Sequence, residues 1–232
     1  MNIKILHLLE GAKESKGLAV VIDVFRAFTV QCYLFAGGAK EIIAVSDIDV
    51  AYDIRKKNSS YILIGEREER VPEGFDFGNS PTHIENINFQ NKTIIHTTSA
   101  GTQGLVNAVN AEERITGSFV NADAIVRYIK QKNPAEVSLV CMGYSMKHPS
   151  EEDTLCAEYI KQSLEGRKPD FEKMKGIIKS TSAQRLFDPQ NQDFSPYTDF
   201  EKCMKPGIFD FVIQCRIHDK YRDSLLCRKY DI

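Results

Sequence analysis

Ala19-Val20-Val21-Ile22-Asp23-Val24-Phe25-Arg26-Ala27 opens on four apolar residues in succession and then delivers an acid and, three residues later, an arginine. A strand with one wet face alternates polar and apolar residues, so an unbroken apolar run predicts a strand covered on both faces. Val137-Ser138-Leu139-Val140 has nearly the same character, and further β-branched runs fall at 41–45, 61–64, 93–95 and 114–116. Most intervals between them read as helix, among them 49–57 and 121–132. Strands alternating with helices predict an α/β fold, a three-layer α/β/α sandwich.

The order of these runs repeats. Val21-Ile22-Asp23 and Ile94-Ile95-His96 each lead through a helical stretch to a second strand, and Asp23 to His96 and Ala44 to Gly117 are both 73 positions. Each copy continues through a helix to a third strand ending on a glycine, Gly65 or Gly143, where the spacing has grown to 78. This predicts a duplicated β-α-β-α-β unit, with lobes at about 18–90 and 91–165 inside a single domain of 1–232. Strand ends near Asp23, Glu66, Thr97 and Tyr144 would then share a crevice, where open α/β sheets bind ligands. The C-terminal segment, 166–232, is less legible: 170–182 reads as helix, 184–197 as loop, and 209–215 fits helix or strand. It is expected to pad the core.

Composition excludes several classes. The 30 Lys and Arg nearly balance 32 Asp and Glu, a net charge of -2, so there is no basic field for nucleic acid. No apolar run approaches the roughly 20 residues of a membrane span, and the first eleven residues are too short and interrupted by Lys4 for a signal peptide. A cytoplasmic protein is expected. Six scattered cysteines form no C-x-x-C pair and predict reduced, structural thiols. The five histidines form neither an H-E-x-x-H nor a Ser-His-Asp pattern.

Five clusters carry polar chemistry at predicted strand ends. Asp23 with Arg26, and Glu66 with Arg67, are acid and guanidinium pairs able to place a cation beside a phosphate oxygen, although helix capping and surface ion pairing explain each alone. Glu73-Gly74-Phe75-Asp76-Phe77-Gly78-Asn79-Ser80-Pro81 offers oxygens and an amide, and turn chemistry accounts for all but its two phenylalanines. Thr97-Thr98-Ser99-Ala100-Gly101-Thr102 places hydroxyls and glycine between strand and helix, a setting for an anion or an ordinary N-cap. Ser150-Glu151-Glu152-Asp153 reads as a capping box whose acids fall on the same sheet edge. Together these are the parts of a magnesium-assisted phosphoryl-transfer site.

Those clusters, with Gly38-Ala39-Lys40, Gly117-Ser118-Phe119-Val120-Asn121-Ala122 and Glu152-Asp153-Thr154-Leu155-Cys156-Ala157, occur in one order over residues 20–160, and in that order they resemble the 2-phosphosulfolactate phosphatases. The resemblance implies an α/β, Mg²⁺-dependent phosphatase that converts 2-phospho-3-sulfolactate to 3-sulfolactate and phosphate on a route to coenzyme M. On this reading Asp23, Arg26, Glu66 and Arg67 are catalytic, and Mg²⁺ is held among Asp23, Glu66, Asp76 and Asp153. Asn79, Ser80, Thr97, Thr98, Ser99, Gly101, Thr102, Ser118 and Asn121 would bind a small anionic phosphorylated substrate. A phosphatase for another small phosphorylated acid, or a noncatalytic anion-binding protein of the same fold, are the rival readings. Neither nucleic acid nor membrane is an expected partner, and a homo-oligomer is left open.

Overall fold

The computed structural model describes residues 1–232. The strands are β1 (Asn2–His7), β2 (Leu18–Ile22), β3 (Glu41–Val45), β4 (Ile62–Gly65), β5 (Thr93–Thr97), β6 (Glu113–Gly117), β7 (Glu136–Cys141), β8 (Phe211–Ile217) and β9 (Ser224–Asp231). The helices are α1 (Leu8–Glu14), α2 (Ala27–Ala36), α3 (Ile48–Lys57), α4 (Pro81–Ile84), α5 (Gly101–Asn107), α6 (Ala122–Lys132), α7 (Glu151–Leu164), α8 (Phe171–Ser180) and α9 (Thr198–Cys203). All nine strands join one sheet in the order β1-β7-β2-β6-β8-β9-β3-β5-β4.

Every residue of β2, β5 and β7 other than Glu136 is buried, as continuous apolar runs require. Alternate residues feed opposite layers. Val21, Ile42, Ala44, Ile94, Ile213 and Leu225 face a core filled by α2 and α5, while Val20 and Ile22 face α6 and α7 and Ile43 and Ile95 face α3. Helices therefore cover both faces, and the α/β/α layering expected from the sequence is the one observed. Helix α2 holds no charged residue and is buried nearly all round, which suits its place in the core against the sheet.

The two expected lobes interleave within the one sheet. Strand β2 lies between β6 and β7, and β5 lies between β3 and β4, so each segment sends its first strand to the other's half. Under the matching of β2 with β5, β3 with β6, β4 with β7 and β8 with β9, the order from β7 to β4 reads the same in both directions. The halves β1-β7-β2-β6 and β3-β5-β4 are internally parallel, and the antiparallel pair β8 and β9 joins them, so they run in opposite senses. Each neighbour step in a sheet turns by roughly 20–25°, and β2 and β5 are five steps apart. That accumulated twist is what allows ends of oppositely directed strands to meet at one cleft.

The C-terminal segment pads the core as expected, with Ile178, Leu186 and Phe200 among its buried residues, and it also supplies β8 and β9 in the middle of the sheet. Cys215 and Cys227 are directly opposite on these strands and are disulfide-bonded, against the expectation of six reduced thiols; Cys32, Cys141, Cys156 and Cys203 are free and buried. No helix is long and apolar enough to cross a membrane.

Candidate functional site

A narrow cleft opens where β2, β4 and β5 end, with Asp23, Arg26, Glu66, Asn79 and Ser99 among its lining. Four of the five predicted clusters thus send a residue to one place. Asp23 follows β2 directly, and its Oδ1 accepts from the Ala27 N–H at 3.2 Å, the first amide of α2. Its other oxygen accepts no protein hydrogen bond and lies against Gly101, where an added Cβ would stand 2.8 Å away. Burial, with the nearby charges of Glu66 and Glu152, pushes the Asp23 carboxyl up to about 7 against the pull of the Ala27 amide and Arg185.

Glu66 organises the neighbouring loops. Its carboxylate accepts from the Ser99 N–H at 2.6 Å, the Ser99 hydroxyl at 3.0 Å and the Glu69 N–H at 2.9 Å. Asn79 is set by a buried chain behind the cleft. Burial, reinforced by Arg67, lowers His96 to about 3 and keeps it neutral. Gln31 Nε2 lies 3.1 Å from His96 Nδ1, so that nitrogen accepts, and Nε2–H donates to Asn79 Oδ1 at 3.2 Å. The Asn79 amide nitrogen is left to the cleft.

Other expected site residues are placed elsewhere. Asp76 pairs with Arg55 and accepts from the Leu63 N–H, because the loop holding it folds back along β4 and seats Phe77 on Phe89. It is not in the lining of the cleft that holds Asp23. Arg67 turns from the cleft and donates to Ser46 O at 3.1 Å and to Thr97 Oγ1 at 2.7 Å, which also occupies Thr97. Thr98 and Thr102 bond one another across the first turn of α5. Ser118 and Asn121 form a reciprocal capping box at the turn after β6, with Thr29 also on Ser118; they are fully buried structure. Ser80 donates to Asp199 Oδ1 at 2.7 Å.

Asp153 does stand behind Asp23, and burial, with the charges of Glu152 and Asp23, pushes its carboxyl well above the usual carboxylate range. Its oxygens are occupied, accepting from the Val24 and Gly143 N–H groups at 2.8 Å each, so it ties the β2 loop to the β7 loop. Ser150 sits at the N-cap of α7 without a side-chain capping bond, so the expected capping box does not form. Arg26 lines the cleft, and its Nη1 donates to Asp199 Oδ2 at 2.8 Å and to Phe194 O at 2.7 Å, with both side chains of the ion pair buried. Through Nη1 it anchors the C-terminal segment, while Nη2 and Nε make no hydrogen bond within the protein.

Tyr144 lines the cleft as its strand end predicted, whereas the sequence reading missed Glu69, Ser145 and Arg185. Arg185, from the short turn Ser182–Phe187, pairs with Glu69 and lies 3.6 Å from Glu152. No local motif marks it, since only the chain's return over the site brings it there. Glu69 lay in view, beside Glu66, as part of a charged run.

A family model described as 2-phosphosulpholactate phosphatase matches residues 4–217. The chain belongs to the 2-phosphosulfolactate phosphatase family, and so to the phosphoric monoester hydrolases. Among its relatives, a probable 2-phosphosulfolactate phosphatase of Bacillus subtilis (strain 168) is 34% identical over 205 residues, covering 85% of this chain and 86% of its own. One from Caldanaerobacter subterraneus subsp. tengcongensis is 39% identical over 207 residues, covering 83% and 85%. A third, from Carboxydothermus hydrogenoformans, is 35% identical over 228 residues, covering 91% and 92%. As the family match runs to residue 217, it takes in both Arg185 and Asp199.

Of the four acids among which a cation was expected, Asp23 and Glu66 line the cleft, and no three His, Cys, Asp or Glu side chains surround a shared position. The donor chemistry nevertheless suits a hard cation with few protein ligands. Asp23 has a free oxygen beside Glu66, and Glu152 Oε2 is buried with no hydrogen-bond partner. Mg²⁺ is commonly held by one or two carboxylates, substrate phosphate and water.

Proposed function

We propose that this protein hydrolyses 2-phospho-3-sulfolactate to 3-sulfolactate and inorganic phosphate, with Mg²⁺ held by Asp23 and Glu66. Bound there, the cation would neutralise charge on the phosphoryl oxygens. Asp23 supplies the reactive carboxylate, Asn79 donates its amide to the ester, and the Gly143 to Ser145 backbone closes the far wall. The observation that carries this reading is the free Asp23 oxygen in a cleft lined by acids as well as arginine, in a chain of this family. A protein that only binds anions has no use for Asp23, Glu66 and Glu69 in the lining. The names of the relatives supply the substrate.

The test is phosphate release from 2-phosphosulfolactate and from a panel of other phosphomonoesters, each with Mg²⁺ and with a chelator. Mg²⁺-dependent turnover that favours 2-phosphosulfolactate is expected. Turnover unaffected by chelation removes the metal, and preference for another phosphorylated acid reassigns the substrate.

A further inference from the structure

We propose that Arg185 recognises the part of the substrate that is not transferred, binding its second anionic group, sulfonate or carboxylate, in the place Glu69 now holds. This rests on the phosphatase reading above. Two guanidiniums reach the cleft, and they differ in how tightly they are committed. Arg26 forms a buried pair with Asp199 through Nη1, its side chain 2% exposed and that of Asp199 fully buried. Arg185 is 22% exposed and is held chiefly by its faces and from behind. The Tyr144 ring lies 5.0 Å from its guanidinium carbon and the Phe25 ring 5.9 Å, while Nη2 donates to Phe25 O at 3.2 Å.

That stacking leaves the Nη1 edge for an oxygen partner, and Glu69 is the partner there. Glu69 belongs to the cleft wall, on a turn where it and Glu68 both have positive φ, 66° and 51°. A carboxylate or sulfonate offers the same Nη1–H donor an equivalent set of anionic oxygens. Substrate entering with its phosphoryl group toward Asp23 would therefore displace Glu69 and leave Arg185 charge-paired throughout. Glu152, 3.6 Å away on the other side, keeps the guanidinium in place during the exchange.

Three esters separate the cases: 2-phosphosulfolactate, 2-phospholactate without the sulfonate, and 2-phosphooxyethanesulfonate without the carboxylate. The kcat/KM of wild type, Arg185→Lys and Arg185→Gln is measured on each. If Arg185 binds the sulfonate, the preference for 2-phosphosulfolactate over 2-phospholactate falls about 10- to 100-fold in Arg185→Gln, the range for a hydrogen bond to a charged group. The preference over 2-phosphooxyethanesulfonate collapses instead if the carboxylate is bound, and lysine restores part of either loss. An equal fall on all three esters, leaving both ratios intact, overturns the proposal. Glu69→Gln is expected to lower KM for the full substrate several-fold, and an unchanged or higher KM overturns the displacement. A wild-type protein that hydrolyses none of the three defeats the phosphatase reading itself, a separately recognisable result.

Discussion

Asp23 and His96 sit on adjoining walls of the same interior and bias stability in opposite directions. Asp23 titrates near 7 when folded against an ordinary 3.8, so the folded state binds its proton more tightly than the unfolded chain does. Its contribution is full below about pH 4 and is lost as pH rises to 7. Urea unfolding in chelator should show this slope, and Asp23→Asn should flatten it; the same variant should lower kcat by about 10²- to 10⁴-fold with an unchanged circular dichroism spectrum. Near-normal turnover would remove Asp23 from the reaction. His96, at about 3 when folded against 6.5, contributes stability above pH 6.5 that is lost as pH falls toward 3. The limiting slope is about 1.4 kcal/mol per pH unit, and His96→Gln should abolish that part of the acid limb. Of these two residues, the sequence exposed Asp23 by its place after an apolar strand. It gave no hint that His96 is neutral, because the cause is burial by elements remote in the chain.

Helix α5 fits against β2, Met142 and the start of α2 only because two of its residues lack side chains. An added Cβ at Gly104 would lie 2.2 Å from Met142 Sδ, and one at Gly101 would lie 2.8 Å from the free Asp23 oxygen and 2.9 Å from Ala27 Cβ. Gly101→Ala is therefore expected to cost about 1–3 kcal/mol in denaturant unfolding and to depress kcat along with it, since the strain falls on the reactive carboxylate. Destabilisation with full activity would show that α5 retreats without moving Asp23. Hydroxyls and glycines between β5 and α5 were legible as a polar strand end. Their division of labour was not, because Thr98 and Thr102 satisfy each other while Ser99 serves Glu66, a residue 33 positions away.

Across the whole molecule, the C-terminal segment determines whether the site exists. Asp199 accepts from Arg26, Ser80 and the Thr82 N–H, joining the β2 loop, the start of α4 and α9 at one fully buried carboxylate. Asp199→Ala leaves the Arg26 guanidinium buried and unpaired, and a loss of about 3–5 kcal/mol is expected by chemical denaturation. A loss below 1 kcal/mol would mean that water reaches Arg26. Strands β8 and β9 join two oppositely directed halves, so a chain ending at residue 208 should lose cooperative unfolding altogether. Retained two-state unfolding would show that the halves dock without the hairpin.

The sequence by itself determined the strand and helix alternation, the burial of the sheet on both faces and the meeting of Asp23, Glu66, Asn79 and Ser99, because apolar periodicity and strand-end polarity are local properties. Only tertiary structure decided that β2 and β5 cross into opposite halves, that Asp76 and Arg67 turn away, and that Arg26 is neutralised while Arg185 faces the cleft. Those outcomes depend on which charges and backbone groups are brought within hydrogen-bond reach by segments from 21 positions apart, as for Arg55 and Asp76, to 173, as for Arg26 and Asp199, and no local pattern encodes that.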